Sequence, residues 1–210
     1  MRSRTRAKAM RDPRRLVDAL AAPEAKRLLA TLLDARPDLV AEVAALAGAE
    51  LGSVTVQQVA EDVAGAIGAL RIEKAWGRSG PQSDGSYVEP TEAVWTVFEE
   101  SIAPFIEDLE RRIRLDHQEA AIAICEGTLL GLYRVEKVYG EGFLDGHAPD
   151  LIGEAAGFVV ETWKKSGGRA RPRGTRDWAA MRAFVSKDVP EWQSFLIRML
   201  GREPKQRRRR

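Results

Sequence analysis

The chain is poor in the residues from which compact catalytic and metal sites are built. Cys125 is the single cysteine, and His117 and His147 are the only histidines among 210 residues. One thiol excludes an internal disulfide and any zinc site made of cysteine pairs, and it suits a reducing compartment. No C-x-x-C or H-E-x-x-H spacing occurs, and no histidine follows a glutamate by three, the step used by di-iron helices. Neither a P-loop nor a dinucleotide fingerprint is present, and Gly140-Glu141-Gly142 is too short and too acidic to cradle a phosphate. No metal, cofactor or catalytic residue is therefore expected.

Long apolar runs are equally scarce. The most apolar stretch, Ala120 to Tyr133, covers 14 residues and contains Glu126. A membrane-spanning helix needs about 20 apolar residues, so no membrane association is expected. Leu16 to Ala22 is short and interrupted by Asp18, which argues against a secretory signal and for a cytoplasmic location.

Strand-type alternation is nearly missing as well, whereas apolar residues recur at helical spacing in almost every segment between glycines and prolines. The fold class implied is all-α: packed antiparallel helical hairpins, either helical-repeat-like or an irregular bundle, with basic flexible termini. Short helices are expected over Leu16 to Ala22, Pro23 to Asp34 and Pro37 to Ala47, with Leu28, Leu29, Leu32 and Leu33 on their buried side. Thr55 and Gln58 have capping-box spacing, and one amphipathic helix should run from them to about Trp76. The Gly/Ser/Pro-rich stretch from Gly77 to Glu89 reads as a long loop, with Asp84-Gly85 as a plain turn; Trp76, Tyr87 and Trp95 flank it and either line a groove or, the favoured reading, pack at its edges.

A helix should open at Pro90 or Thr91, with an interruption near Ser101 to Ala103 caused by Pro104. Asp116 and Glu119 suggest a second capping box, starting a helix to about Lys137. This helix is apolar nearly all round, the pattern of a central element, and Gly127 and Gly131 lie four apart where another helix can approach closely. Cys125, among Ile122, Ile124 and Leu129, reads as a small buried hydrophobe. After Gly140 to Pro149, Asp150 should cap a helix carrying Leu151, Ile152, Ala155, Phe158, Val159 and Trp163. Two short helices, Asp177 to Val185 and Pro190 to Leu200, carry an apolar load that favours docking back on the body.

Charge is what the chain has in abundance, and it is segregated. Residues 1–15 hold seven basic side chains and one acidic, a net of +6; residues 16–163 hold 11 and 26, a net of −15; residues 164–210 hold 15 and four, a net of +11. The organisation expected is a basic tail (1–15), an acidic helical domain (16–165), a basic linker (166–176), docked C-terminal helices (177–201) and a basic tail (202–210).

Two function classes follow. The first is a non-enzymatic scaffold or adaptor for another protein, motivated by the helical pattern and the missing catalytic constellations. The second is weak, sequence-independent nucleic-acid association through Arg2, Arg4, Arg6, Lys8, Arg169, Arg171, Arg173, Arg207, Arg208, Arg209 and Arg210, because clustered cations neutralise phosphates. The acidic body opposes any broad nucleic-acid face. Glu126 is the one internal oddity, a carboxylate in an apolar run that needs a partner if buried; a solvated face or a structural ion pair is favoured over a functional pocket, and Arg134 lies two turns on within reach.

Overall fold

The computed structural model describes residues 13–139, 150–165 and 175–201. The chain divides into two units, residues 1–50 and 51–210, so the boundary falls inside the stretch read from sequence as one acidic domain. No single described helix is long and apolar enough to cross a membrane.

The first unit carries α1 (Pro13–Asp18), α2 (Ala22–Ala35), a 3-10 turn (Pro37–Leu39) and most of α3 (Val40–Gly52). Glu24 folds back so that its carboxylate accepts from the Ala21 backbone N–H at 2.8 Å, fixing the start of α2. The leucines expected to be buried are not. Leu28, Leu29 and Leu32 are 50%, 43% and 43% exposed, and none of these helices buries a residue. A unit of about fifty residues in short helices encloses too little volume to hide an apolar stripe.

The second unit is built around α7 (Gln118–Tyr139), which contacts α4 (Val56–Gly68), α6 (Pro90–Arg114), α8 (Leu151–Lys165) and α9 (Thr175–Asp188). Its core joins Val63, Ile67, Phe98, Leu109, Ile124, Leu129, Leu132, Val159 and Trp163 with side chains of the last helices. Cys125 is fully buried there, as its neighbours imply.

The α4–α7 contact is the tightest. A Cβ placed on Gly127 would lie 2.5 Å from Val59 Cβ and 2.8 Å from the Val56 carbonyl oxygen, and one on Gly131 would lie 2.7 Å from Val63 Cβ and 2.8 Å from the Ala60 carbonyl oxygen. Only hydrogen fits at either place. Thr128, buried between them, donates its hydroxyl to the Ile124 carbonyl at 2.7 Å and so leaves no orphan polar group.

Several boundaries depart from expectation. Thr55 does cap α4, its hydroxyl accepting from Gln58 N–H at 3.2 Å, but the Gln58 side chain turns to Asp62 instead of closing the box. The helix stops at Gly68, where the Arg71 guanidinium donates to the Gly68 and Leu70 carbonyls, and a separate α5 (Ile72–Trp76) follows. The stretch after it forms a small hairpin, β1 (Gly80–Pro81) against antiparallel β2 (Tyr87–Val88). Asp84 accepts from Ser86 N–H and hydroxyl at its tip, and Gly85 supplies the positive φ of 84° that the turn requires.

Pro104 does not break α6, which runs unbroken from Pro90 to Arg114. The proline is exposed, where water can satisfy the carbonyl it frees, while Ile102, Ile106 and Leu109 stay buried on the other face. Asp116 is not an N-cap. It takes φ 61° just after α6, with Asp116 N–H bonded to the Ile113 carbonyl and His117 N–H to the Arg112 carbonyl, a helix-terminating pair that short polar residues tolerate.

The C-terminal helices dock. Met181 and Val185 of α9, Val189 just after it, Trp192 of the 3-10 turn (Pro190–Trp192), and Leu196 and Leu200 of α10 (Gln193–Leu200) are all buried in the common core. The Trp163 and Trp178 rings stand 5.4 Å apart.

Gly131→Ala should destabilise the protein by about 2–3 kcal/mol, because overpacking against backbone cannot relax. Gly65→Ala in α4 meets nothing within 4 Å and should stabilise by about 0.5–1 kcal/mol through helix propensity. Urea unfolding of both variants checks the opposite signs.

Candidate functional site

Two helices of the second unit each present a stripe of side chains to a shared groove. On α6 these are Trp95, Phe98, Glu99, Ile102, Ala103, Ile106, Glu107 and Glu110, which recur at steps of three and four. On α8 they are Gly153, Glu154, Ala155, Gly157, Phe158, Glu161 and Lys165, preceded by Asp150. Trp192, Phe195 and Met199 close one side, and the cavity volume is about 1200 Å³.

The floor is apolar and incompletely covered. Phe98 and Ile102 are buried, whereas Phe158 is 54% exposed and Phe195 36% exposed. Phe158, one of the apolar residues expected on this helix, stands in the groove beside Gly153 and Gly157, and no further helix among the described residues covers it. Gly157 also gives room to α10, since a Cβ there would touch Phe195 and Met199 at 3.4 and 3.5 Å.

The walls are acidic. Eight carboxylates line the groove against one lysine. Four have local partners: Glu110 pairs with Arg114 at 3.4 Å, Glu161 with Lys164 at 2.7 Å, Glu191 with Lys137, and Glu136 accepts from the Trp192 indole N–H at 2.7 Å. The Glu161 carboxyl is held below its ordinary value by the Lys164 hydrogen bond. Glu99, Glu107, Asp150 and Glu154 form no ion pair among the described residues. The wall of α10 is locked by Lys164, which also donates to the Met199 carbonyl, and by the Tyr133 ring set edge-on to Trp192 at 5.3 Å.

No family model, curated protein or solved structure matches the chain. The groove is therefore read from its own chemistry.

Of the residues singled out from sequence, Trp95 lines the groove, while Trp76 and Tyr87 are 49% and 59% exposed. Arg2, Arg4, Arg6, Lys8, Arg169, Arg171, Arg173 and Arg207 to Arg210 fall outside the described residues, as does His147. Glu126 and Arg134 line neither the groove nor a second cavity of about 390 Å³ beside Val54, Gln58 and Phe105. Nor do they pair: Arg134 donates to the Gln57 side chain at 2.7 Å, across the α4–α7 contact. Glu126 instead faces Asp188 at the end of α9, and its pKa is raised to about 7, first by burial and then by that like charge. Among the described residues no group of three or more His, Cys, Asp or Glu is placed to hold a metal ion.

A further polar anchor involves Arg112, buried on α6, which bonds both oxygens of Asp108 at 3.2 and 3.3 Å and the Leu51 carbonyl. Partial burial pushes the Asp108 carboxyl up, but the hydrogen bonds from Arg112 and Arg111 outweigh it and hold its pKa below the usual value.

The groove acids escaped sequence reading because nothing in one dimension says that Glu99 and Glu154, more than fifty positions apart, line one groove. The available signal was the flanking of each apolar stripe by carboxylates at helical spacing.

Glu126 generates a pH dependence. Its folded-state pKa of about 7 exceeds the ordinary 4.5, so the folded protein holds a proton that the unfolded chain releases, and stability falls as pH rises between those values. Glu126→Gln should be more stable than the parent by about 1–3 kcal/mol at pH 8 and within about 0.5 kcal/mol at pH 4.5. Urea midpoints at the two pH values test this.

Proposed function

We propose that the chain is a non-enzymatic helical scaffold or adaptor, and that the groove between α6 and α8 is where a partner protein docks. The observation that carries this reading is the aromatic floor left open in a cavity of about 1200 Å³, with Phe158 54% exposed. Large aromatic side chains in a partly desolvated depression are the residue type that supplies most binding energy at protein interfaces, and contiguous exposed apolar surface is uncommon without a use. The exposed leucines of the first unit, Leu28, Leu29 and Leu32, are compatible with the same role.

Replacing Phe158 by a photoreactive benzoyl-phenylalanine tests the reading. In the source cells, position 158 should cross-link to one defined protein, and position 83 in the hairpin, exposed and remote in sequence, should not. Equal patterns at both positions, or no adduct at 158, would count against docking in the groove.

The second reading is sequence-independent nucleic-acid association through the basic ends, favoured by the net +6 over residues 1–15 and +11 over residues 164–210. Binding to generic DNA and RNA should then fall by about tenfold or more between 50 and 200 mM salt and vanish when residues 1–12 and 202–210 are removed and Arg169, Arg171 and Arg173 are replaced by serine. Retention by the truncated chain would exclude the ends as the contact.

A further inference from the structure

We infer that the groove takes a cationic amphipathic helix of a partner protein, one with an apolar face flanked by lysine or arginine; this rests on the docking reading above. Shape, floor and walls each contribute. The α6 stripe runs from Trp95 to Glu110, about 22 Å at 1.5 Å per residue. A cylinder about 10 Å across, the width of an α-helix, fills 1200 Å³ over roughly 15 Å, or ten residues. The slot is thus the size of about three helical turns lying along α6 and α8.

A helix in this slot meets the apolar lining side chains Phe158, Phe195 and Trp95, and an amphipathic helix offers apolar anchors along one face at i, i+3 and i+7. Above them it meets carboxylates on both sides, Glu99 and Glu107 from α6 and Asp150 and Glu154 from α8. An anionic or neutral helix leaves these carboxylates less hydrated and unpaired, which costs free energy; a helix with cations on its flanks pairs them as they lose water. The single lysine of the lining, Lys165, sits at the end of the α8 stripe and does not change the sign along its length.

The test uses the full chain and three synthetic peptides of about eighteen residues: a leucine–lysine amphipathic helix, the same composition scrambled, and a leucine–glutamate helix of the same pattern. Binding is read by tryptophan fluorescence, since Trp95 and Trp192 line the groove, and by calorimetry. The lysine helix should bind at 50 mM salt and weaken about tenfold at 300 mM. Its affinity should fall about tenfold in Phe158→Ser, in Phe195→Ser and in the double variant Glu99→Lys/Glu107→Lys, all exposed positions, with circular dichroism confirming an intact fold.

Equal binding of the scrambled peptide would overturn the inference by reducing it to charge attraction without a helix. Equal binding of the glutamate helix, lost in Phe158→Ser, would overturn the cationic assignment and leave docking in place. A dimer that Phe158→Ser or Phe195→Ser dissolves would overturn it in favour of a second copy as occupant. No binding by any peptide, together with no cross-link at position 158, would remove both readings.

Discussion

The close approach of α4 to α7 is the constraint on which the rest of the second unit depends. With Val59 and Val63 seated over Gly127 and Gly131, α7 is covered on one side at backbone distance, and its remaining faces are left for α6, α8 and α9. Dispersion across so short a separation is strong because many atom pairs sit near their optimal distance. The arrangement has no slack: a single methyl group on either glycine collides with a carbonyl that belongs to a helix backbone. The continuous apolar character of α7 is the necessary counterpart, since a helix enclosed by several neighbours has no solvated face.

The C-terminal helices complete what α7 begins. Their burial removes the large apolar side chains of α9 and α10 from water, and Trp192 and Glu136 join the docked segment to α7 by a hydrogen bond at 2.7 Å. That docking also makes the groove, because α6 and α8 alone would offer two stripes without a closing side. Phe195 and Met199 stand on α10, so whatever enters the groove touches the last packed helix as well as the first two. A partner binding there would stabilise the docked C-terminal helices by mass action, which couples occupancy to the integrity of the fold.

The negative charge of the body is put to two different physical uses. Along the groove, carboxylates line an apolar depression and give it a negative charge. At Glu126 a carboxyl is half-buried near Asp188 and tends toward its protonated form, which makes it a source of pH-dependent stability and not a wall of the groove. Arg112 is the converse case, a buried cation held by Asp108 and by the carbonyl of Leu51, where removal of either partner would strand a charge in a poor solvent.

Local chemistry was legible from the sequence to the extent that it is local. Helical class, the Thr55 cap, the central burial of Ala120 to Tyr133, the close packing at Gly127 and Gly131, and the docking of the tryptophan-rich C-terminal helices all follow from apolar spacing and residue type within a few turns. The leucines of α2, the unbroken path through Pro104, the end of α4 at Gly68 and the exposure of Phe158 do not, because each depends on whether a second element arrives to cover or support the position. Glu126 was rightly marked as unusual, but its neighbour proved to be Asp188 and not Arg134, since α9 reaches it from sixty positions away. By itself the sequence determined the helical class, which segments are apolar and how charge is divided along the chain, since these are properties of short segments. Only the tertiary structure decided which apolar faces meet and which acids gather on one groove, since those outcomes turn on the pairwise fit of helices distant in the chain.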